Sequence, residues 1–552
     1  MNKLRKMNGH MKKCIAKGFK ENFLEKTLFN KLFLVIVGFA LMFIVRYIIH
    51  INFAYYWTFL HTEMATDLAF VREARNQRTL FPQGWLHLRE VRLMHLTTPI
   101  LLVYLITGNL HLSYPIASTI MLLTNISLFY WMLSYHKMDM LPKLVGLIVL
   151  LMFFATMHHE ERYPMFSILF INSSYALHLS SMLFIIGSYM RLREQKRLHI
   201  AIWILAGVVS FAQGFQSDRL LLALFAPLFL VEGYHFIVRL QESKKDKLWG
   251  SSTFAMLCLL CSLAGAVLVK YLFRHDILIT YYPTASELYF VINRDAWGRI
   301  GYFVANLLFA VGILGGRDLF TVYGVLYFGR LAAIIILVMT MRKIYTKTSN
   351  DNPVIIILLL ATIFSSIVMA FVSLEWEITS RYLFPIIILF SVMAAIVIDC
   401  FLQNKQKIFA GLVCFGVLVG STVSVYALPL YHRDSFIEDR WRVVEFIREE
   451  GLTVGYGSFW QSEVIAAKGN FDFNVMSLNH FTLQPQRRGV TQSVFYHEES
   501  RVFLITTGGE LARIQGYPQF AALAYGERHN LSGGWVVVIL EQNPWQQHPA
   551  QR

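Results

Sequence analysis

Long apolar runs separated by short polar segments dominate the chain from residue 32 to residue 428. A helix that crosses a bilayer needs roughly 17 to 25 mostly apolar residues, and thirteen segments reach or approach that length. They lie near 32–51, 95–112, 115–135, 141–158, 165–190, 198–215, 219–240, 251–273, 299–315, 319–341, 353–373, 381–402 and 407–428. The pattern predicts a polytopic α-helical membrane protein.

Lysine and arginine cluster in polar segments between these runs, and such segments favour the cytoplasmic side of a membrane. The basic segments are 191–197, 239–247, 341–347 and 403–407. Strict alternation of thirteen crossings would place the first two outside. If one segment near 95–135 and another near 299–341 do not span the membrane, all four basic segments fall on the cytoplasmic side. We therefore predict eleven crossings, with thirteen as the alternative.

The two ends of the chain differ from the apolar middle. Residues 1–31 carry nine Lys or Arg, and the apolar run that follows is too long for a signal peptide, so this tail is expected in the cytoplasm. Residues 32–428 form the predicted membrane domain, with a large first outer loop at 52–94. Residues 429–552 alternate short helical and strand patterns. Since both crossing counts are odd, this small α/β domain is predicted to be extracytoplasmic.

Composition agrees with a cell-membrane location and limits other functions. Hydrophobic residues make up 56% of the chain and charged residues 15%, against roughly 25% charge in a soluble domain. The net charge of +15 comes from the basic segments beside apolar runs, so no nucleic-acid partner is expected. Cys258 and Cys261 form a CxxC pair within an apolar run, where we expect packing and no redox or metal role.

The first outer loop contains the stretch HTEMATDLAFVREARNQRTLFPQGW at 61–85. If residues 61–75 are helical, Glu63 and Asp67 share one face because they are four residues apart. Pro82 and Gly84 are expected to end that helix. The result would be an acidic spot at the membrane surface.

Arginines are unusually frequent in the segments predicted to face outward. They are Arg72, Arg75, Arg89, Arg92, Arg162, Arg219, Arg294, Arg299 and Arg381. Arginine binds phosphate through two parallel hydrogen bonds, and a carboxylate can take the proton of an acceptor hydroxyl. Together they suit sugar transfer from a phosphate-linked lipid. The alternative is that these ions pair with one another or with lipid headgroups, and snorkelling alone explains an arginine at a helix end such as Arg381.

A metal site is a competing use of the acids in HTE…D and of HHEE at 158–161. Divalent cations bind carboxylate oxygens, and zinc prefers imidazole. Adjacent residues on a helix diverge by roughly 100° each, and the HExxH spacing is missing. We therefore predict no metal ligands and no cofactor, while a divalent metal remains the open alternative.

A basic cytoplasmic start, one crossing and a large outer loop with acids near the membrane resemble the GT-C glycosyltransferases. That superfamily includes aminoarabinose transferases and protein O-mannosyltransferases. Their first outer loop holds a catalytic Asp, and Asp67 in TEMATDLAFVREAR is the best match. The family's DE pair is missing: Thr62-Glu63 or Asp67-Leu68 stands in its place. SRYLFP at 380–385 resembles the family's Arg-Tyr…Pro element, and the outer loop at 274–298 lies where the family covers the lipid phosphate.

The resemblance implies inverting transfer of a sugar from a polyprenyl-phosphate-linked donor, at the outer face of the bilayer. The acceptor would be a cell-envelope glycan, a lipid or a protein. Asp67, with Glu63, is the expected catalytic acid pair. The residues expected to bind lipid phosphate or sugar are Arg72, Arg75, Arg294, Arg381, Tyr382, Glu160 and Glu161.

Two other functional classes stay open. A lipid-linked polysaccharide polymerase or ligase shares many crossings and outer arginines, but usually has its largest outer loop late in the chain. A lipid or sugar transporter or flippase needs polar residues deep in its helices, and often internal symmetry that this sequence lacks.

Overall fold

The structure is a computed structural model. It describes residues 31–87, 91–136, 138–155, 166–171, 173–195, 198–241, 249–280, 296–313, 320–347, 353–371, 380–427, 434–478, 501–515 and 526–545.

Helices account for most of the described chain up to residue 427. They are α1 (Lys31–Ala54), α2 (Tyr56–Phe59), α3 (Thr62–Asn76), α4 (Thr97–Thr107), α5 (Leu110–Leu133), α6 (Met140–Ile148), α7 (Ala176–Gln195), α8 (Ile200–Gln216), α9 (Ala226–Gln241), α10 (Trp249–Arg274), α11 (Ala296–Ala310), α12 (Val322–Lys347), α13 (Pro353–Phe371), α14 (Phe384–Gln403) and α15 (Lys407–Ala427). Short π-helical segments at Val149–Phe153 and Leu221–Phe225 extend α6 and precede α9.

Seven of the helical stretches in the described part of the chain are long and apolar enough to cross a membrane. They belong to α1, α5, α9, α10, α12, α14 and α15, and four shorter apolar stretches belong to α4, α6, α8 and α13. The predicted class of a polytopic helical membrane protein is confirmed. The number of crossings stays a prediction.

Two helices fall in the regions where the charge pattern predicts a non-spanning segment. Helix α4 has 11 residues, which at about 1.5 Å per residue is shorter than a bilayer core of about 30 Å. Gly108 follows α4 with a φ of 67° and turns the chain into α5. The shortness of α4 agrees with a non-spanning segment in the first of these regions. The residues directly before α11 lie outside the described ranges.

Helices α8 and α10 cross with their backbones in contact. A methyl group on Gly214 would overlap the backbone of Ser262, and one on Gly265 would overlap the backbone of Phe211. Small residues allow this close approach between membrane helices, where van der Waals packing holds the pair together. The two glycines thus fix how α8 and α10 lie against each other.

Three segments predicted to face outward meet at one end of the bundle. Strands β1 (Leu86–His87) and β2 (Ile279–Thr280) pair in parallel and join the first loop to the segment after α10. Arg381, just before α14, reaches Glu63 on α3. These contacts place the three segments on the same side of the bundle. Which side of the membrane that is stays a prediction.

A buried acid links three helices at the opposite end, beside two of the basic segments. The Glu232 carboxylate on α9 accepts hydrogen bonds from the hydroxyls of Tyr189, Ser251 (2.6 Å) and Ser252 (3.0 Å). Arg193 lies 3.8 Å from the same carboxylate. Because its partners satisfy it, this acid ties α7, α9 and α10 together without a ligand.

The C-terminal domain is a small α/β unit, as predicted. Its elements are α16 (Asp434–Glu449), β3 (Val454–Ser458), α17 (Phe459–Lys468), β4 (Asn474–Leu478), β5 (Val502–Thr507), α18 (Gly508–Gln515), β6 (Glu527–Asn530) and β7 (Trp535–Leu540). The sheet has the order β4-β3-β5-β7-β6, in which β4, β3 and β5 are parallel and β7 runs antiparallel to both neighbours.

Both faces of this sheet are covered. Phe503 and Ile505 of β5 pack with α16 and α17 on one face. Val502 and Leu504 pack with α18 on the other. The strand patterns TVGYG, FNVMSL, RVFLITT and WVVVILE correspond to β3, β4, β5 and β7, whereas β6 was not predicted, because its ERHN sequence is polar and largely exposed.

Helix α17 packs against α3 and joins the C-terminal domain to the membrane domain. Its Val464 and Ala467 belong to one buried cluster with Met64, Ala65 and Leu68 of α3. The helix predicted to carry the acids therefore lies between the membrane bundle and the C-terminal domain.

Candidate active site

Helix α3 carries the predicted acids and has defined ends. It begins after His61, whose imidazole Nδ1 accepts a hydrogen bond from the Glu63 backbone N–H at 3.1 Å. It ends at Asn76, within one residue of the predicted 61–75, but Pro82 and Gly84 lie too far along the chain to be what ends it. The helix is ended instead by a left-handed residue, Arg78 with φ 53°, after which the Thr79 N–H bonds back to the Ala74 carbonyl.

Glu63 and Asp67 lie on one face of α3, as the four-residue spacing predicts. Asp67 is fully buried and forms a close ion pair with Arg92. The Nδ1 atom of His95 lies 3.3 Å from the other Asp67 oxygen. The second Arg92 contact is with the Glu63 backbone carbonyl, at 3.4 Å. Arg92 therefore contacts α3 at both Glu63 and Asp67, which lie one helical turn apart.

Glu63 is a quarter exposed and pairs with Arg381 at 3.2 Å. Burial acts to raise the pKa of Glu63, but the positive charges of Arg381, His61, Arg92 and His95 outweigh it and lower that pKa to about 2. Glu63 is consequently ionised at neutral pH and is a weak proton acceptor.

A further arginine lies beside this pair. The Arg219 guanidinium lies 4.9 Å from the ring centroids of both Tyr175 and Tyr382. Arg381 lies 5.1 Å from the same Tyr382 ring. Cation–π contacts of this kind hold a guanidinium in place. Arg219 and Arg381 thus both contact the ring of Tyr382, and Arg381 also pairs with Glu63.

The predicted binding residues fall into two groups. Arg381 and Tyr382 lie with the acids. Arg72, on another side of α3, donates a hydrogen bond to the Phe471 carbonyl of the C-terminal domain at 3.0 Å, and the exposed Arg75 stacks on Tyr104 at 4.2 Å. The remaining predictions lie outside the described residues: Arg294, Glu160 and Glu161.

Sequence reasoning did not assign Arg92, His95 or Arg219 to the site. Arg92 and Arg219 were recognised only as outward arginines. The spacing of Arg92 and His95 in VRLMH, directly before α4, is a local signal that places an arginine and a histidine side chain close to the membrane surface. The stacking of Arg219 depends on helices far apart in sequence and has no local signal.

No group of three or more His, Cys, Asp or Glu side chains that could hold a metal ion occurs within the described ranges. The HHEE segment lies outside those ranges. The question of a divalent metal therefore rests on the sequence alone.

Comparison with known proteins adds one finding. No protein-family model matches the chain, and no curated protein matches it in sequence. Among solved structures, the chain resembles the crystal structure of ArnT from Cupriavidus metallidurans bound to undecaprenyl phosphate, with a TM-score of 0.52. The likeness covers 86% of this chain and 93% of that chain, at 11% sequence identity.

The chain has an ArnT-like fold. This confirms the architecture that the first loop and the SRYLFP element led us to expect. At this level of identity the likeness establishes the fold and leaves the activity to the site itself.

Proposed function

We propose that the protein is a membrane glycosyltransferase that moves a sugar from a polyprenyl-phosphate-linked donor to an acceptor on the extracytoplasmic face. The observation that carries this proposal is the cluster of two carboxylates and several cations on α3 and its neighbours. It lies at the end of the bundle where the predicted outer segments meet. The likeness to a structure that binds undecaprenyl phosphate supports a polyprenyl-phosphate donor.

The cations suit the leaving group of this reaction. When the bond between the anomeric carbon and the phosphate oxygen breaks, the phosphate leaves with the electron pair and gains negative charge. Arg381, with Tyr382 beside it, is the proposed ligand of that phosphate, because a fixed guanidinium stabilises developing charge without reorganising. Arg72, Arg75, Arg294, Glu160 and Glu161 stay predictions as further ligands of donor phosphate or sugar.

The two acids have different proposed roles. Asp67 takes the proton from the acceptor hydroxyl while that oxygen forms its bond to the anomeric carbon. Arg92 and His95 hold the Asp67 carboxylate in one orientation. Glu63 is a weak base because its pKa lies near 2, and its proposed role is to hold Arg381 against the donor phosphate.

The test is transfer of a labelled sugar from synthetic polyprenyl-phosphate donors to an envelope extract by the purified protein. Asp67→Asn is expected to reduce turnover by about 10²-fold or more, the usual contribution of a general base. Arg381→Ala should lose turnover and weaken donor binding. Arg528→Ala, which removes an exposed arginine on β6, is the matched control and should behave as wild type.

Wild-type turnover by a well-folded Asp67→Asn protein would show that Asp67 is not the base. If the wild type turned over none of several donors, with or without Mg²⁺ or Mn²⁺, the transferase proposal would fail. A polymerase, ligase or transporter would then be the better assignment.

A further inference from the structure

We propose that the C-terminal domain positions the candidate active-site helix α3, and that Arg72 and Lys468 are the positioning residues of this contact. The proposal rests on the proposed function for its effect on turnover. Its structural part concerns two contacts with the membrane domain, one made by Lys468 at the end of α17 and one made by Phe471 just after it.

The apolar part of the contact fixes the side of α3 next to the acids. Val464 and Ala467 of α17 are fully buried against Met64, Ala65 and Leu68. Met64 and Leu68 directly follow Glu63 and Asp67. Because each residue along a helix turns by roughly 100°, the apolar pair lies on the face next to the acidic pair. Rotation of α3 against α17 would therefore move Glu63 and Asp67 away from their arginines.

Arg72 supplies a polar anchor at the far end of this contact. Besides its hydrogen bond to the Phe471 carbonyl, its guanidinium lies 5.4 Å from the Phe471 ring centroid. Asn470 and Phe471 both have left-handed backbones, with φ of 55° and 57°. A bulky residue rarely adopts this conformation, and such strain persists only where the surroundings enforce it. The Phe471 ring packs partly buried against the clusters of both domains.

Lys468, the last residue of α17, supplies a second anchor. It is 2% exposed, and its ammonium lies 5.9 Å from the Trp57 ring centroid and 4.8 Å from that of Trp441. Trp57 belongs to α2 and Trp441 to α16, and their centroids are 5.1 Å apart. The ammonium therefore lies against both indoles of this edge-to-face pair. Burial and the charge of Arg440 lower the pKa of Lys468 to about 7, so the charged form that the aromatic faces attract is present at and below neutral pH. Lys468 thus joins α17 to the helix that directly precedes α3.

These contacts give Arg72 a role different from phosphate binding. A residue that binds donor phosphate should affect the KM for the donor when it is changed. A residue that only positions α3 should lower kcat, because the acids and arginines would be misaligned while the donor still binds. Comparing kcat with KM therefore distinguishes the two roles.

The experiment uses the full chain in detergent, with Arg72→Gln, Arg72→Lys, Lys468→Met and Lys468→Arg. Arg528→Gln, in which an exposed arginine on β6 is changed, is the matched control. Hydrogen exchange of residues 62–76 is measured for each protein, together with kcat and donor KM. We expect Arg72→Gln and Lys468→Met to exchange at least tenfold faster in α3. We also expect kcat to fall about tenfold or more, with donor KM within twofold of wild type.

The conservative variants Arg72→Lys and Lys468→Arg keep the positive charge and should restore part of the protection and of kcat. Unchanged exchange in α3 for both Arg72→Gln and Lys468→Met would overturn the proposal. A raised donor KM with unchanged kcat and unchanged exchange would assign Arg72 to the donor instead. Since exchange needs no turnover, it decides this proposal even if the transferase assignment fails.

Discussion

Glu463 on α17 is an acid buried close to the junction of the two domains. It is 3% exposed, and the Ser477 hydroxyl lies 3.5 Å from its carboxylate. Burial raises the pKa of Glu463 to about 8, although the charge of Arg92 and the contact with Ser477 act in the opposite direction. The C-terminal domain therefore holds a carboxyl group that is neutral over most of the physiological range and that lies within the electrostatic influence of Arg92.

This burial predicts a pH-dependent stability. Because the pKa is raised on folding, the folded chain binds more protons than the unfolded chain between about pH 4.5 and pH 8, so stability falls as pH rises through that window. Glu463→Gln cannot ionise. Its melting temperature should match wild type near pH 4.5, exceed it increasingly toward pH 8, and keep a constant advantage above that. The gain should be on the order of a few kcal/mol.

The measurement is thermal unfolding in detergent from pH 4.5 to pH 9. Glu445→Gln, at an exposed position on α16, is the control and should show a flat difference. A Glu463→Gln difference that is also flat would contradict the buried neutral acid.

At the scale of single residues, local spacing predicted some neighbours and missed others. The shared face of Glu63 and Asp67 follows from a four-residue separation in one helix. Arg381 was proposed from its short motif, yet its contact with Glu63 joins positions 318 residues apart. Such a pairing depends on how the helices pack. The ion pair of Asp67 with Arg92 crosses a turn whose path the sequence does not specify.

At the scale of elements, prediction succeeded where the apolar pattern is strong. Long apolar runs gave the membrane helices, and alternating short runs gave the buried strands of the C-terminal sheet. Strand β6 was missed because strand pairing with β7 stabilises a sequence that has no apolar period. The extent of α3 agrees with the predicted 61–75, but the helix is ended by Arg78 and not by Pro82 and Gly84, because this arginine adopts the left-handed conformation usually taken by glycine.

The crossing of α8 and α10 yields a prediction at this scale. Gly265→Ala would force the two backbones apart and should destabilise the protein by about 1–3 kcal/mol, as overpacking does. Gly207→Ala on α8 is the control, because its new methyl group would meet the Cys261 sulfur at an ordinary 3.6 Å. Melting in detergent should show a lower temperature for Gly265→Ala alone. Equal melting temperatures would mean that the backbones are not in contact.

At the scale of the whole molecule, the distribution of Lys and Arg predicted from the sequence alone which polar segments lie on the same side of the membrane. The contacts of β1 with β2 and of Glu63 with Arg381 agree with that grouping. The side of the cell that each group faces depends on membrane insertion and is not contained in a folded chain alone.

Reporter fusions test the orientation. Alkaline phosphatase needs an oxidising compartment to form its disulfides, so we expect it to be active when fused at the C-terminus and inactive when fused in the 403–407 segment. Green fluorescent protein at the same positions should give the reverse pattern. Activity of the phosphatase in the 403–407 segment would invert the predicted topology.

The docking of α17 on α3 also has a consequence for how the protein is made. Arg72 and Phe471 are 399 residues apart, and at roughly 5 to 20 residues per second about 20 to 80 seconds of synthesis separate them. During that interval the side of α3 that later meets Val464 and Ala467 has no partner from the C-terminal domain. Helix α3 is therefore among the first parts of the molecule to emerge from the ribosome and among the last to complete its contacts. A nascent chain stopped before residue 459 would insert its helices without the contacts that α17 makes with α3.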